Sequence, residues 1–78
     1  MNPVSISSAI DRILDDFFLI QKDLDSLTGV YDLLMREVEV VVLRKVLQLS
    51  DRNKKKAARM LGISRNTLHR KMMLHHLG

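Results

Sequence analysis

Cysteine is absent from this 78-residue chain, which removes disulfides, thiolate metal sites and cysteine nucleophiles from consideration. Glycine occurs three times and never in a cluster, so no glycine-rich loop is available to cradle a phosphate. No apolar run approaches the roughly 20 residues that cross a bilayer as a helix. The opening Met1-Asn2-Pro3-Val4-Ser5 lacks the basic stretch that begins a secretory signal. The expectation is a soluble, cytoplasmic chain forming one domain over residues 1–78.

Acidic residues are scarce too, but only in one part of the chain. Residues 44–78 hold ten Lys/Arg and a single acid, Asp51, for a net charge of +9. Residues 1–43 hold three Lys/Arg and eight Asp/Glu, for a net of −5. The overall +4 therefore conceals a strongly polarised molecule. A basic block set against an acidic segment is the electrostatic footprint of a polyanion binder. A membrane surface would also attract cations, but it requires a wide apolar helical face beside them. Here the cations flank a compact hinge built with small residues, so nucleic acid is the expected partner. The basic segment has no paired carboxylates and no nucleophile beside a base, and catalytic residues, cofactors and a small-molecule substrate are not expected.

The first part of the chain reads as two long helices. Ser7 or Ser8 can cap the first, leaving residues 1–7 as a disordered N-terminus. Ile10, Ile13, Leu14, Phe17 and Phe18 recur at helical spacing to about Lys22, with Asp11, Arg12, Asp15 and Asp16 opposite. Asp23 to Gly29 is a polar connector with turn formers. A second helix runs from about Val30 to Leu49. The valine-rich run 38–43 would suit a strand, but Leu34, Val38, Val41, Val42 and Leu49 continue a helical stripe and no second strand is available to pair. Around residues 38–47 this helix is apolar over most of its circumference and must be covered on most sides. Residues 8–49 are therefore expected to dimerise, with Val38, Val41, Val42 and Val46 in a homodimer interface.

Residues 53–76 read as two short helices hinged at Leu61-Gly62-Ile63. Gly62 suits the left-handed turn that ends a helix, and Ser64 can cap the next. Ala57 and Ala58 permit close packing, and Leu61, Ile63 and Leu68 supply a small core. This is the helix-turn-helix pattern, whose second helix enters the DNA major groove. On that helix, spacing places Met72 and His75 with Leu68 on the core side, while Asn66, His69, Arg70 and Met73 face outward.

Taken together, Leu34-Met-Arg-Glu-Val-Glu39, Val46-Leu47, Asn53, Ala57-Ala58, Leu61-Gly62-Ile63, Arg65-Asn66-Thr67-Leu68 and Arg70-Lys71 resemble the Fis family. That domain also closes the NtrC-type enhancer-binding activators. The resemblance covers about residues 8–76, and Gly62 to Leu68 is its most specific stretch. It implies an all-α fold of four helices, two long and dimerising, followed by a C-terminal helix-turn-helix. It also implies a homodimer that binds and bends double-stranded DNA in the bacterial nucleoid as a transcriptional regulator. Bending belongs to binding in such dimers, because their recognition helices lie closer together than one turn of straight DNA.

By the same resemblance, Arg65 contacts a base edge, where arginine can bridge guanine O6 and N7. Asn53, Lys55, Ser64, Thr67, Arg70 and Lys71 contact chiefly phosphates, and His69 assists. The chain departs from the family pattern in several places. Arg52 replaces a glycine before the capping Asn53, Asp51 replaces a cation, Met73 and Leu74 replace lysines, and Val41 replaces a kinking proline. The segment ahead of the first helix is too short for the Fis recombinase-contacting arm. Two other functions fit parts of the pattern: the C-terminal DNA-binding domain of an NtrC-type activator, or a helical protein–protein adaptor that binds no DNA. His69, His75 and His76 do not make a metal site, since adjacent His75 and His76 diverge by about 100° on a helix.

Overall fold

A computed structural model of the chain describes residues 3–78, which form four α-helices and no strand. Helix α1 spans Pro3–Leu19, α2 Val30–Leu49, α3 Lys54–Leu61 and α4 Arg65–Leu74; a single 3-10 turn, Leu24–Ser26, lies between α1 and α2. The bounds of α2 agree with the sequence reading, and the run 38–43 is helical. No proline interrupts it, so nothing in its sequence calls for a kink.

The first helix differs from expectation at both ends. It starts at Pro3 and not at a Ser7 or Ser8 cap, so residues 3–7, expected to be disordered, are helical. Proline is well suited to an opening turn, where its missing N–H costs no helical hydrogen bond. Met1 and Asn2, the rest of that expected segment, lie outside the described residues. At the other end α1 stops at Leu19, short of Lys22, and Gln21 caps it by donating from Nε2 to the Phe17 carbonyl at 3.1 Å. The connector closes on Gly29, whose φ of +70° lies in the left-handed region that glycine enters without a Cβ penalty.

One small core holds the C-terminal part together. Leu43 and Leu47 of α2, Ala57 and Ala58 of α3, and Leu68 and Met72 of α4 are buried, with Val46, Leu61, Ile63 and Leu77 packed at its edge. The two alanines let α3 lie against its neighbours where larger side chains would hold the helices apart. Burying each Leu or Met contributes about 1.5–3 kcal/mol, enough to fix the two short helices α3 and α4 against the end of α2. Ser50 is the buried polar residue, and its hydroxyl donates to the Leu47 carbonyl at 3.2 Å.

Helix α1 and the outer side of α2 are not covered in this way. Val38, Val41 and Val42 are each more than 40% exposed, as are Ile10 and Ile13. Ile10, Ile13, Leu14, Leu34, Met35, Val38, Val41 and Val42 line an almost wholly apolar groove of about 350 Å³. The molecule measures 43 × 29 × 16 Å, and its radius of gyration is 15.1 Å, against about 11.5 Å for a compact chain of this length. Its surface of 6551 Å² exceeds by roughly 1,700 Å² the ~4,900 Å² expected of a folded monomer of 9.0 kDa.

Candidate nucleic-acid interface

The turn between α3 and α4 is built as its sequence dictates. Gly62 adopts φ +76°, and the N–H groups of Gly62 and Ile63 donate to the Ala58 carbonyl at 2.9 and 3.0 Å, closing α3. A Cβ at Gly62 would meet nothing within 4 Å. The glycine is required by its backbone angle and not by crowding. Ser64 caps α4, its hydroxyl accepting from the Thr67 N–H at 3.1 Å. Asn53 caps α3 in the same manner, its Oδ1 accepting from the Lys56 N–H at 3.1 Å.

Two departures from the family pattern leave their mark before α3. Asp51 and Arg52 both stand at positive φ, 54° and 62°, where glycine is the easier residue. Arg52 therefore holds a left-handed backbone angle without being a glycine. The Arg52 N–H reaches back to the Leu47 carbonyl at 2.8 Å, and its guanidinium donates to the Leu77 carbonyl at 3.1 Å. Arg52 braces the C-terminal segment, a role its sequence position alone did not show.

The outward set on α4 lies as spacing predicts. Arg65, Asn66, His69, Arg70 and Met73 are exposed, Leu68 and Met72 are buried, and the His75 side chain is only 6% exposed. Arg65 occupies the first position of α4, at the end of the helix that carries unsatisfied N–H groups and the positive pole of the dipole. Thr67 is half-buried, and its Oγ1 accepts from the Ser64 hydroxyl at 3.0 Å and from the Arg70 guanidinium at 3.3 Å. Ser64, Thr67 and Arg70 are therefore linked along the opening of the helix. Lys55 is exposed, as are Lys54, Lys56 and Arg59 on the same helix.

Lys71 is placed differently from the other cations. Its Nζ donates to Glu39 Oε2 of α2 at 2.7 Å, and His75 Nε2 lies 2.8 Å from Oε1 of the same carboxylate. A carboxylate can only accept, so the His75 Nε2 carries the proton in that bond. These two hydrogen bonds, that from Lys71 foremost, hold the Glu39 carboxyl below its ordinary range. The pair adds stability above the ordinary carboxylate range and loses it as pH falls through the depressed value. Glu39 entered the sequence reading only as part of the family pattern. Its partners lie 32 and 36 residues away, beyond the reach of any local periodicity.

No group of three or more potential metal ligands occurs among the described residues. No described helix is long and apolar enough to cross a membrane.

Residues 34–73, from the middle of α2 through nearly all of α4, match the family described as bacterial regulatory protein, Fis family. Two relatives from Neisseria meningitidis, of serogroups A and B, are named as Fis-like DNA-binding proteins. Each is 39% identical over 74 residues, covering 92% of this chain and 90% of the relative. The DNA-binding transcriptional regulator NtrC of Azospirillum brasilense is 40% identical over 67 residues, covering 86% of this chain; the chain spans only 14% of that protein's length. The fold, the turn at Gly62, the two caps and these matches agree: the chain belongs to the Fis family of bacterial regulatory proteins.

Proposed function

We propose that this protein is a dimeric DNA-binding regulator that places α4 in the major groove and bends its target. The observation that carries the reading is the exposed cationic face on a capped helix-turn-helix. Arg65 and Arg70 on α4 and Lys54, Lys55, Lys56 and Arg59 on α3 are all exposed, in a segment of net charge +9. Arg65, at the helix start, is assigned to a base edge. Asn53, Lys55, Ser64, Thr67 and Arg70 are assigned to phosphates, which fix register without carrying sequence information, and Lys71 joins them only when it is free of Glu39. His69 lies exposed one turn beyond Arg65 and supports the same surface.

The second element of the reading is the homodimer. The apolar groove between α1 and α2, and the surplus surface of roughly 1,700 Å² per chain, are what a protomer separated from its partner presents. Covered on both chains, that surplus falls within the range of obligate interfaces, about 2,000–5,000 Å² in total. Val38, Val41 and Val42 belong to this interface. Val46, which packs on the protomer's own core, sits at its edge.

Dimerisation sets the spacing of the two α4 helices and so enforces the bend, by the geometry that Fis-type dimers share. A circular-permutation gel shift tests this. Mobility should be lowest when the bound site lies at the middle of the fragment. Mobility independent of site position would remove bending from the account.

The similarity to the Azospirillum regulator supports a second reading, in which the same domain serves a longer activator. Both readings share the DNA surface described here. An intact-mass measurement on the native protein separates them.

A further inference from the structure

Glu39 is the one acidic side chain that the described ion pairs bring onto α4, and it meets two residues there. Lys71 and His75 are four apart, one helical turn, so both project toward α2 on the same side. Each takes one oxygen of the carboxylate, at 2.7 and 2.8 Å. The site is partly sheltered: Lys71 is 35% exposed, Glu39 32% and His75 6%. Met35, Val38, Val42, Leu61 and Ile63 line the adjoining cavity of about 300 Å³. Charges interact more strongly beside such apolar walls than in open water. The other cations of α3 and α4 stand exposed, whereas Lys71 is already committed to an acid of the helix that carries the dimer interface.

We propose that Glu39 is a positioning residue for the recognition helix that holds Lys71 back from DNA, and that protonation of His75 releases Lys71 to a backbone phosphate. The inference rests on the DNA-binding reading above. The mechanism is competition for one carboxylate. With His75 neutral, Lys71 supplies the only positive charge at Glu39. Once protonated, His75 neutralises the carboxylate through a charge-assisted bond and repels the ammonium on the other oxygen. Lys71 then turns to the strongest anion in reach, which in the complex is a phosphate. Glu39 from α2 and Lys71 from its own helix are the charged groups facing His75, while the Arg52 guanidinium, from the turn before α3, reaches the Leu77 carbonyl beyond it.

The test is a set of Lys71→Ala comparisons on duplex DNA at two pH values, about 5.5 and about 8, either side of the ordinary histidine range. Any pH effect arising elsewhere on the protein is common to both partners of each comparison and cancels. In the otherwise unsubstituted protein, Lys71→Ala should scarcely change the log–log salt slope at the higher pH. At the lower pH it should remove about 0.9 per protomer, close to 1.8 per dimer. In a Glu39→Gln background the loss should appear at both pH values, because nothing retains the ammonium. In a His75→Gln background, where an amide keeps a hydrogen bond but cannot charge, the loss should appear at neither. Circular dichroism on each variant verifies that the helices persist, and His75→Gln keeps the test decisive if Glu39→Gln does not fold. A Lys71→Ala loss that is equal at the two pH values in the unsubstituted background overturns the inference and leaves DNA binding standing. Absence of DNA binding by the unsubstituted protein at both pH values overturns the underlying reading as well.

Discussion

Val41→Asp should abolish dimerisation while introducing nothing that a lone protomer would resist. In the protomer Val41 is 46% exposed, so an aspartate there can keep its water. In the proposed dimer the same position would be covered on each chain, and both carboxylates would be buried without partners. The effective cost of burying an unpaired charge is several kcal/mol, and each ~1.4 kcal/mol is tenfold in a dissociation constant. The dimer dissociation constant should therefore rise by at least about a hundredfold. Sedimentation equilibrium should show a dimer for the unsubstituted chain at micromolar concentration and none for Val41→Asp. Met73→Asp serves as the control. Met73 is 63% exposed on α4, away from the groove, and its substitution should leave the dimer intact. A folded monomer of the unsubstituted chain at micromolar concentration would contradict the interface. Val46→Asp is a poorer probe, because Val46 also packs on the helix-turn-helix core and its loss would damage both.

Arg65→Ala should weaken preferred sites by about 1–3 kcal/mol, the value of a bidentate guanine contact, with a much smaller loss on random DNA. Arg65 is exposed at the first position of α4, free to extend into a groove, and its neighbour Ser64 is occupied with capping. Arg70 provides the contrast. Its guanidinium is tied to Thr67 Oγ1 at 3.3 Å, a geometry suited to holding a phosphate beside the helix start, and Arg70→Ala should weaken all sequences about equally. Competition binding against a preferred site and against random duplex measures both. Two variants with the same ratio of preferred to random affinity would overturn this division of labour.

Much of this molecule was legible from local signals. Gly62, Ser64 and Asn53 announce their backbone roles because caps and left-handed turns depend on one residue and its near neighbours. The helical spacing that put Leu68, Met72 and His75 on one side of α4 is equally local, and all three are sheltered in the structure. The exposed valines of α2 follow from the same logic, since a helix apolar on most sides leaves some uncovered when the protomer is small.

What was not legible depends on distance in sequence. The Glu39–Lys71–His75 contact joins residues more than 30 apart, and although the helical period sets Glu39 on the row of Leu43 and Leu47, it does not name partners on another helix. The bracing of the C-terminal segment by Arg52 is hidden for the same reason, since its partner Leu77 lies 25 residues away. The start of α1 lies ahead of the two serines that offer caps, because Pro3, an equally good helix opener, stands just before them.

The most direct test of the central claim is the salt dependence of DNA affinity, measured by fluorescence anisotropy on a duplex between low and physiological salt. Roughly 6–10 phosphates neutralised over two protomers, chiefly by exposed Lys and Arg of α3 and α4, at about 0.9 each, place the log–log slope near −5 to −9. By the resemblance to Fis, Asp51, Met73 and Leu74 take the place of cations, and Lys71 is held by Glu39. The value near neutral pH should accordingly fall toward the shallow end of that range. A slope between about −5 and −7 at the higher pH, steepening as pH falls, is the result expected of a dimeric DNA binder with Lys71 in reserve. A slope shallower than about −2, or no binding, would contradict the account and leave a helical protein–protein adaptor in its place.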